Sequence, residues 1–262
     1  MPVLEKFSLK GKKVLVTGGV AMYGQSVSEA VAEAGATTII ASRSEEKRQK
    51  VVDSLGKSGY EALHFYLDLG KEETITKLHK DITEQFGALD VLINAAVLRP
   101  CESYNCTTDQ WRESMEVNST GLMNITRMFT QNMIERKQGN VVNISSMYGM
   151  VGPTFSLYEG MGPPFDDMAG DYWFHRAGII NYTRFLAAHL GKHNIRVNSI
   201  SPGGFFSEMT KEPFLSRYCK ATFLGRMADN EDVKGAVVFL ASDASAYVTG
   251  VNLPLDAGFT AH

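Results

Sequence analysis

Tyr172 and Arg176 head the stretch YWFHRAGIINYTRFLAAHLG. A spacing of four puts both side chains on one face of a helix, one turn apart. A cation held against a phenol stabilises the phenolate and lowers its pKa from about 10. Tyr172 is therefore a candidate proton donor and acceptor. The plain alternative is a structural helix head in which Arg176 pairs with an acidic neighbour, Asp171 or Asp167.

A second chemical feature lies near the start, where KVLVT runs into TGGVAMYGQS. Gly18, Gly19 and Gly24 close a turn from a strand into a helix that begins near Gln25. Backbone N–H groups at such a helix start hold a pyrophosphate. Eighteen residues after Gly24 the second strand ends at Ser42-Arg43. An acidic residue there would bond a ribose 2′-hydroxyl, whereas a small residue followed by Arg suits a 2′-phosphate. This favours NADP(H) over NAD(H); the alternative is that Arg43 is a solvated surface residue. Glu45 and Glu46 fall on the next helix and point elsewhere.

Other reactive residue types have simpler readings. His175 neighbours Arg176 but faces another side of the helix, as a surface or interface histidine would. His189 and His193 are four apart, yet Gly191 ends the helix between them and no Glu or Cys accompanies them, so no metal site is expected. Cys101 and Cys106, with no His nearby, are read as free thiols of a reducing cytoplasm.

The elements that must position these residues alternate regularly. Strand-like runs occur at 13–17, 37–42, 62–68, 89–94, 140–146, 195–200 and 251–256, rich in β-branched residues and with little polar alternation. Strands covered on both faces look like this. Helix-like segments lie between them at 25–34, 44–58, 71–86, 108–136 and 172–190. The expected fold is α/β: a single Rossmann-type doubly wound domain over 1–262, with about seven parallel strands flanked by helices. Ligands bind such sheets beyond the carboxyl ends of the strands, where the polar residues named above fall. Two long irregular stretches, 147–171 and 202–225, are expected to be substrate loops.

Composition agrees. The chain has 262 residues, 44% hydrophobic and 21% charged, with a formal net charge of −3, so no basic surface calls for nucleic acid or anionic membrane. No apolar run approaches ~18 residues. The N-terminus has no apolar segment of signal-peptide length, and a cytoplasmic location is expected. The five Asn-x-Ser/Thr matches are then chance.

Together these motifs resemble the short-chain dehydrogenase/reductase family over nearly the whole chain. The family's glycine motif lies over Thr17 to Gly24, its post-strand aspartate over Asp68 in FYLDL, and its Asn-Asn-Ala-Gly element over Asn94 to Val97. Its helical asparagine matches Asn118, its serine Ser146, its Tyr-x-x-x-Lys pair Tyr172 and Arg176, and its Pro-Gly turn Pro202-Gly203. The closing segment GRMADNEDVKGAVVFLASDASAYVTGVNLPLDAGF matches as well. The resemblance implies hydride transfer between nicotinamide and a carbonyl or alcohol carbon. Tyr172 would be the acid–base group, Ser146 would polarise the substrate oxygen, Arg176 would bind the nicotinamide ribose, and Asn118 would position a water. Thr17, Gly18, Met22, Tyr23, Gly24, Ser42, Arg43, Asp68, Leu69, Asn94, Pro202 and Gly203 would line the cofactor. The resemblance also implies a homotetramer or homodimer, paired through the helices at 108–136 and 172–190.

Four departures stand out. Met22 replaces a glycine and, unlike glycine, does not adopt a positive φ cheaply. Arg176 replaces lysine and keeps the charge but not the shape. Ala95 and Val97 replace the second Asn and the Gly of the Asn-Asn-Ala-Gly element, the latter narrowing a turn near the nicotinamide. Ser146 and Tyr172 are 26 apart, about twice the family interval. The inserted residues make Tyr158 a rival, at 12 after Ser146, but Gly162 stands four later and supplies no cation. The insertion and the closing segment resemble the gluconate/polyol branch. Tyr148, Tyr158 and Phe205 are the expected substrate residues, and Tyr158, Glu159, Asp166 and Asp167 would suit a polyhydroxylated ligand. The reading is an NADP(H)-dependent oxidoreductase of a sugar, sugar acid or polyol. Two alternatives stay open: a ligand-binding sensor or subunit without turnover, and epimerase or dehydratase chemistry on the same scaffold.

Overall fold

The computed structural model describes residues 2–162 and 167–261. Seven strands form one parallel sheet in the order β3-β2-β1-β4-β5-β6-β7. They are β1 (Lys13–Thr17), β2 (Thr37–Ser42), β3 (Ala62–Tyr66), β4 (Val91–Asn94), β5 (Gly139–Ile144), β6 (Ile195–Pro202) and β7 (Asn252–Leu255). Each expected strand is present, most of them trimmed by a residue or two. The order reverses between β1 and β4, which opens a crevice at their carboxyl ends.

Side-chain alternation explains why both faces are covered. Leu15, Leu92, Val141 and Val197 pack under one helical layer with Leu78, Phe129, Met133, Leu186 and Leu190. Their neighbours Val14, Val16, Val91, Ile93, Val142 and Ile200 pack under the other with Val27, Val31, Val237 and Leu240. Each fully buried aliphatic side chain contributes roughly 1.5–3 kcal/mol, so the register is firmly set. That register aligns Thr17, Asn94, Asn143 and Ser199 in one row across four strands. All four are buried, and they form a polar row just beneath the crevice.

The helices are α1 (Met22–Glu33), α2 (Glu45–Lys57), α3 (Glu72–Phe86), α4 (Thr108–Met115), α5 (Leu122–Arg136), α6 (Asp171–Leu190), α7 (Phe214–Ala221) and α8 (Lys234–Ala241). Three expectations need correction. Helix α1 begins at Met22, not near Gln25. The segment 108–136 is not one helix: a π-helical turn, Glu116–Gly121, joins α4 to α5 and contains Asn118. The stretch 202–225 is not wholly irregular, because Phe214, Leu215 and Tyr218 give α7 an apolar face that packs with Leu157 and Phe259.

Candidate active site

The turn after β1 has no room for side chains. A Cβ on Gly18 would come within 2.5 Å of the Ala96 backbone, and one on Gly24 within 2.2 Å of the Gly18 carbonyl. Met22 opens α1 with φ 47°, the left-handed conformation that favours glycine, so the turn keeps its glycine-like shape despite the substitution. The methionine side chain is 58% exposed. Ala21 caps the helix with no side-chain bond, leaving the first N–H groups of α1 without a side-chain partner. At the end of β2, Ser42 Oγ is buried without a partner and Arg43 is exposed beside it. A narrow uncapped turn and an orphaned hydroxyl fit a dinucleotide phosphate group.

Several expected cofactor residues serve the scaffold. Thr17 Oγ1 accepts from the Ala95 and Ala96 amides at 3.2 and 3.4 Å. Asn94 Nδ2 donates to Thr126 Oγ1 and Asn143 Oδ1, which ties β4 to α5 and β5. Asp68 accepts from the Gly70 amide at 3.1 Å, and Leu69 is buried beside it. The Tyr23 hydroxyl donates to the Gly203 carbonyl at 3.1 Å, and its ring meets Phe205 edge-on at 5.0 Å. Gly203, following Pro202, is also held to β7 through Leu255. Val97 is exposed.

Ser146, Tyr172 and Arg176 converge beyond the ends of β5 and β6. Ser146 is buried, accepts from the Tyr148 amide at 3.2 Å, and is one of the groups that lower the Tyr172 pKa. Arg176 lies 5.1 Å from the Tyr172 ring. Its guanidinium donates to the Ile144 carbonyl at 2.6 Å, while Nε has no partner. The pairing of Arg176 with Asp171 or Asp167 does not occur. Asp171 is buried and accepts from Ser114 Oγ at 2.5 Å, and Asp167 accepts from the Tyr104 amide.

A residue missed in the sequence completes the cluster. Arg99, in the loop after β4, sits 4.1 Å over the Tyr172 ring. Burial alone would raise the Tyr172 pKa. The Arg176 and Arg99 charges and the Ser146 hydrogen bond outweigh burial and hold the phenol below its usual value. Its place beyond a central strand end was the signal available for Arg99.

The rival tyrosine behaves oppositely. Burial pushes Tyr158 up, against the opposing effects of Tyr148 and Arg99. The Tyr148 and Tyr158 hydroxyls bond at 2.8 Å, Tyr148 packs 4.7 Å from Trp173, and Tyr158 stacks on Phe214. These rings wall the space beside Ser146. Asp166, named above as a possible ligand contact, lies outside the described residues.

Asn118 sits at the π turn with its side chain fully engaged. It donates to the Leu98 and Ser114 carbonyls and accepts from the Leu98 amide at 3.0 Å. It thus fixes the loop that carries Arg99. His175 is a further correction. It is not on the surface but only 2% exposed, edge-on to Tyr172 at 5.3 Å, with neither ring nitrogen bonded. Burial first, then the Arg176 and Arg99 charges, lower its pKa to about 3. Cys101 is buried beside Cys106 and Asp171, and burial pushes its thiol up to about 12. His189 is exposed and stacked on Phe185. Among the described residues no three His, Cys, Asp or Glu side chains gather as metal ligands, and no helix is long and apolar enough to cross a membrane.

Comparison with known proteins places this geometry. A family profile described as enoyl-(acyl carrier protein) reductase matches residues 19–260. The 3-oxoacyl-acyl-carrier-protein reductase FabG of Aquifex aeolicus is 31% identical over 258 residues, covering 97% of this chain and 99% of that protein. The 5-keto-D-gluconate 5-reductase of Escherichia coli K12 is also 31% identical, covering 96% of both. Among solved structures, gox2181 matches with TM-score 0.89 at 30% identity, covering 99% of this chain and all of the other. A gluconate 5-dehydrogenase of Burkholderia cenocepacia, in complex with NADP and tartrate, matches with TM-score 0.87 at 27% identity, covering 99% of each chain.

Proposed function

The chain belongs to the short-chain dehydrogenase/reductase family and is a dehydrogenase/reductase, and on that premise we propose an NADP(H)-dependent oxidoreductase acting on a sugar, sugar acid or polyol. The observation that carries this reading is Tyr172, whose ring lies 4.1 Å from the Arg99 guanidinium and 5.1 Å from that of Arg176, and whose phenol those charges hold below its usual pKa. A phenol so tuned gives up and takes back its proton more readily than a free tyrosine.

Gly18, Met22, Tyr23 and Gly24 would hold the pyrophosphate side of the cofactor, Ser42 and Arg43 its 2′-phosphate, Asp68 and Leu69 its adenine end, and Asn94, Pro202 and Gly203 its nicotinamide end. Bound there, the nicotinamide supplies or accepts a hydride. In reduction the Tyr172 hydroxyl gives its proton to the carbonyl oxygen as the carbon becomes C–H. In oxidation the phenolate takes the proton of the substrate hydroxyl. Ser146 hydrogen-bonds the same oxygen and stabilises its developing charge.

The substrate class is supported by the hydroxyl-bearing aromatic wall of Tyr148 and Tyr158, by the keto-gluconate reductase relative and by the tartrate of the solved gluconate dehydrogenase. We also place the enzyme in the cytoplasm, as a homotetramer or homodimer. Phe174 and Phe185, 62% and 59% exposed on α6, supply the pairing face, whereas Phe129, Leu186 and Leu190 belong to the core.

One observation favours a second reading. The Arg176 guanidinium is drawn to the Ile144 carbonyl, which leaves fewer donors for a ribose and fits a binding protein without turnover. Titration with NADPH and NADH, followed by nicotinamide fluorescence, tests both readings. Preferential NADPH binding, with NADPH consumption on sugar-derived carbonyls, is the expected result. Binding without consumption on any carbonyl selects the second reading, and no binding of either nucleotide removes the dehydrogenase and leaves a sensor of a sugar ligand.

A further inference from the structure

Arg99 has a geometry that tuning Tyr172 does not use up. Its carbon centre lies 4.1 Å over the phenol ring, and the group also acts on the Tyr172 hydroxyl, which engages part of a five-donor group. The N–H donors of a guanidinium point outward in its plane. Arg99 is exposed, and none of the ion pairs among the described residues involves it. Two acids of the neighbouring segment are engaged elsewhere, Asp171 by Ser114 and Asp167 by the Tyr104 amide.

The surroundings share one character. Ser146, Tyr148, Tyr158 and Tyr172 bring hydroxyls, and Arg99 and Arg176 bring cations that both act on Tyr172. Arg99 also acts on Tyr158. Its loop is not free to swing away, because Leu98 is clamped to Asn118 through both its N–H and its carbonyl. A fixed, exposed cation with five donors, close to the reacting oxygen and without a protein counter-ion among the described residues, is a receptor for a planar oxyanion.

We infer that Arg99 receives a carboxylate of the substrate, so that among sugars, sugar acids and polyols the protein selects an acid whose carboxylate lies within a few bonds of the reacting carbon. The inference deepens the reading above and rests on it for the place where substrate binds. Arg99 then has two contacts, one on Tyr172 and one on the substrate.

The test uses two four-carbon probes that differ only at their ends, tartrate (two carboxylates) and threitol (two alcohols). Each is titrated calorimetrically into the full-length protein, with and without saturating NADPH. Tartrate is expected to bind at least about tenfold more tightly than threitol. Arg99→Gln should erase that preference and Arg99→Lys should keep part of it, since lysine retains the charge but not the fork. Threitol binding as tightly as tartrate, or unchanged tartrate affinity in Arg99→Gln, overturns the inference, as does binding of neither probe. Glycerol 3-phosphate binding more tightly than tartrate reassigns the oxyanion to a phosphate and overturns the carboxylate. A protein that transfers no hydride yet shows Arg99-dependent tartrate preference keeps this inference and loses the function proposed above.

Discussion

The turn after β1 and the head of α6 each carry one departure from the family pattern, and they absorb it in different ways. At Met22 the backbone takes the conformation a glycine would have, and the side chain turns to solvent. The consequence is local strain, of order 1–2 kcal/mol for a left-handed non-glycine residue. At Arg176 the helix is unchanged, but the longer guanidinium reaches the Ile144 carbonyl and leaves Nε unbonded. A second cation, Arg99, shares the work on Tyr172 from a separate loop. A turn tolerates substitution by straining one residue; a charged site tolerates it by spreading the charge over other elements.

The sharpest way to break this comparison is at Tyr172 itself. If the α6 head is the reaction site, Tyr172→Phe lowers turnover by about 10³-fold while NADPH binding, set at the other region, stays near the parent value. Tyr158→Phe lowers turnover by less than about tenfold, since it loses one hydroxyl contact. Equal losses in the two variants would make Tyr158 a partner in the proton transfer.

Arg176→Met tests whether the charge is shared. Removing one cation raises the Tyr172 pKa. Alcohol oxidation needs the phenolate, so its rate climbs with pH up to that pKa. The variant's profile should shift to higher pH, with about a tenfold loss per unit below the new pKa. An unshifted pH–rate profile would mean that Arg99 alone sets the phenol.

His175 gives the α6 head a pH dependence that the glycine turn lacks. Its folded pKa, about 3, lies below the ordinary 6.5. Below about pH 6.5 the unfolded chain therefore binds a proton that the folded chain refuses, so stability falls as pH drops toward 3. At about pH 5 the loss is roughly 2 kcal/mol, from 1.36 kcal/mol per unit. The thermal midpoint of His175→Leu should fall less between neutral pH and pH 5 than that of the parent. Parallel slopes would place the histidine's acid sensitivity elsewhere.

The sheet could be read in the sequence because its strands are buried on both faces, and burial leaves runs such as KVLVT and TTIIAS without polar interruption. The Tyr172–Arg176 pair was legible because a helix turns an interval of four into proximity. Arg99 was not, since 73 residues separate it from Tyr172 and only the parallel order of β4 and β5 brings them together. The burial of His175 depends likewise on what covers α6, including the Ser114–Asp171 bond from α4. The π turn was hidden because Glu116–Gly121 (EVNSTG) holds no proline to mark a break between α4 and α5. Helix α7 had a signal in the spacing of Phe214, Leu215 and Tyr218, masked by the glycines and prolines around it.

Met22→Gly sharpens the other side of the comparison and should have the smallest effect. Glycine removes the penalty of the left-handed conformation but gives the unfolded chain more freedom, by about 0.4–1 kcal/mol. The two changes oppose each other, so the net stabilisation expected is under about 1 kcal/mol. Denaturant midpoints of the two proteins measure it. NADPH affinity should rise or hold, because the turn keeps its shape and loses a side chain beside the phosphate N–H groups. A fall in both stability and affinity would mean that the methionine is packing against something the turn needs. The departure at Met22 would then be an interaction rather than a strain, and the two regions would absorb substitution in the same way.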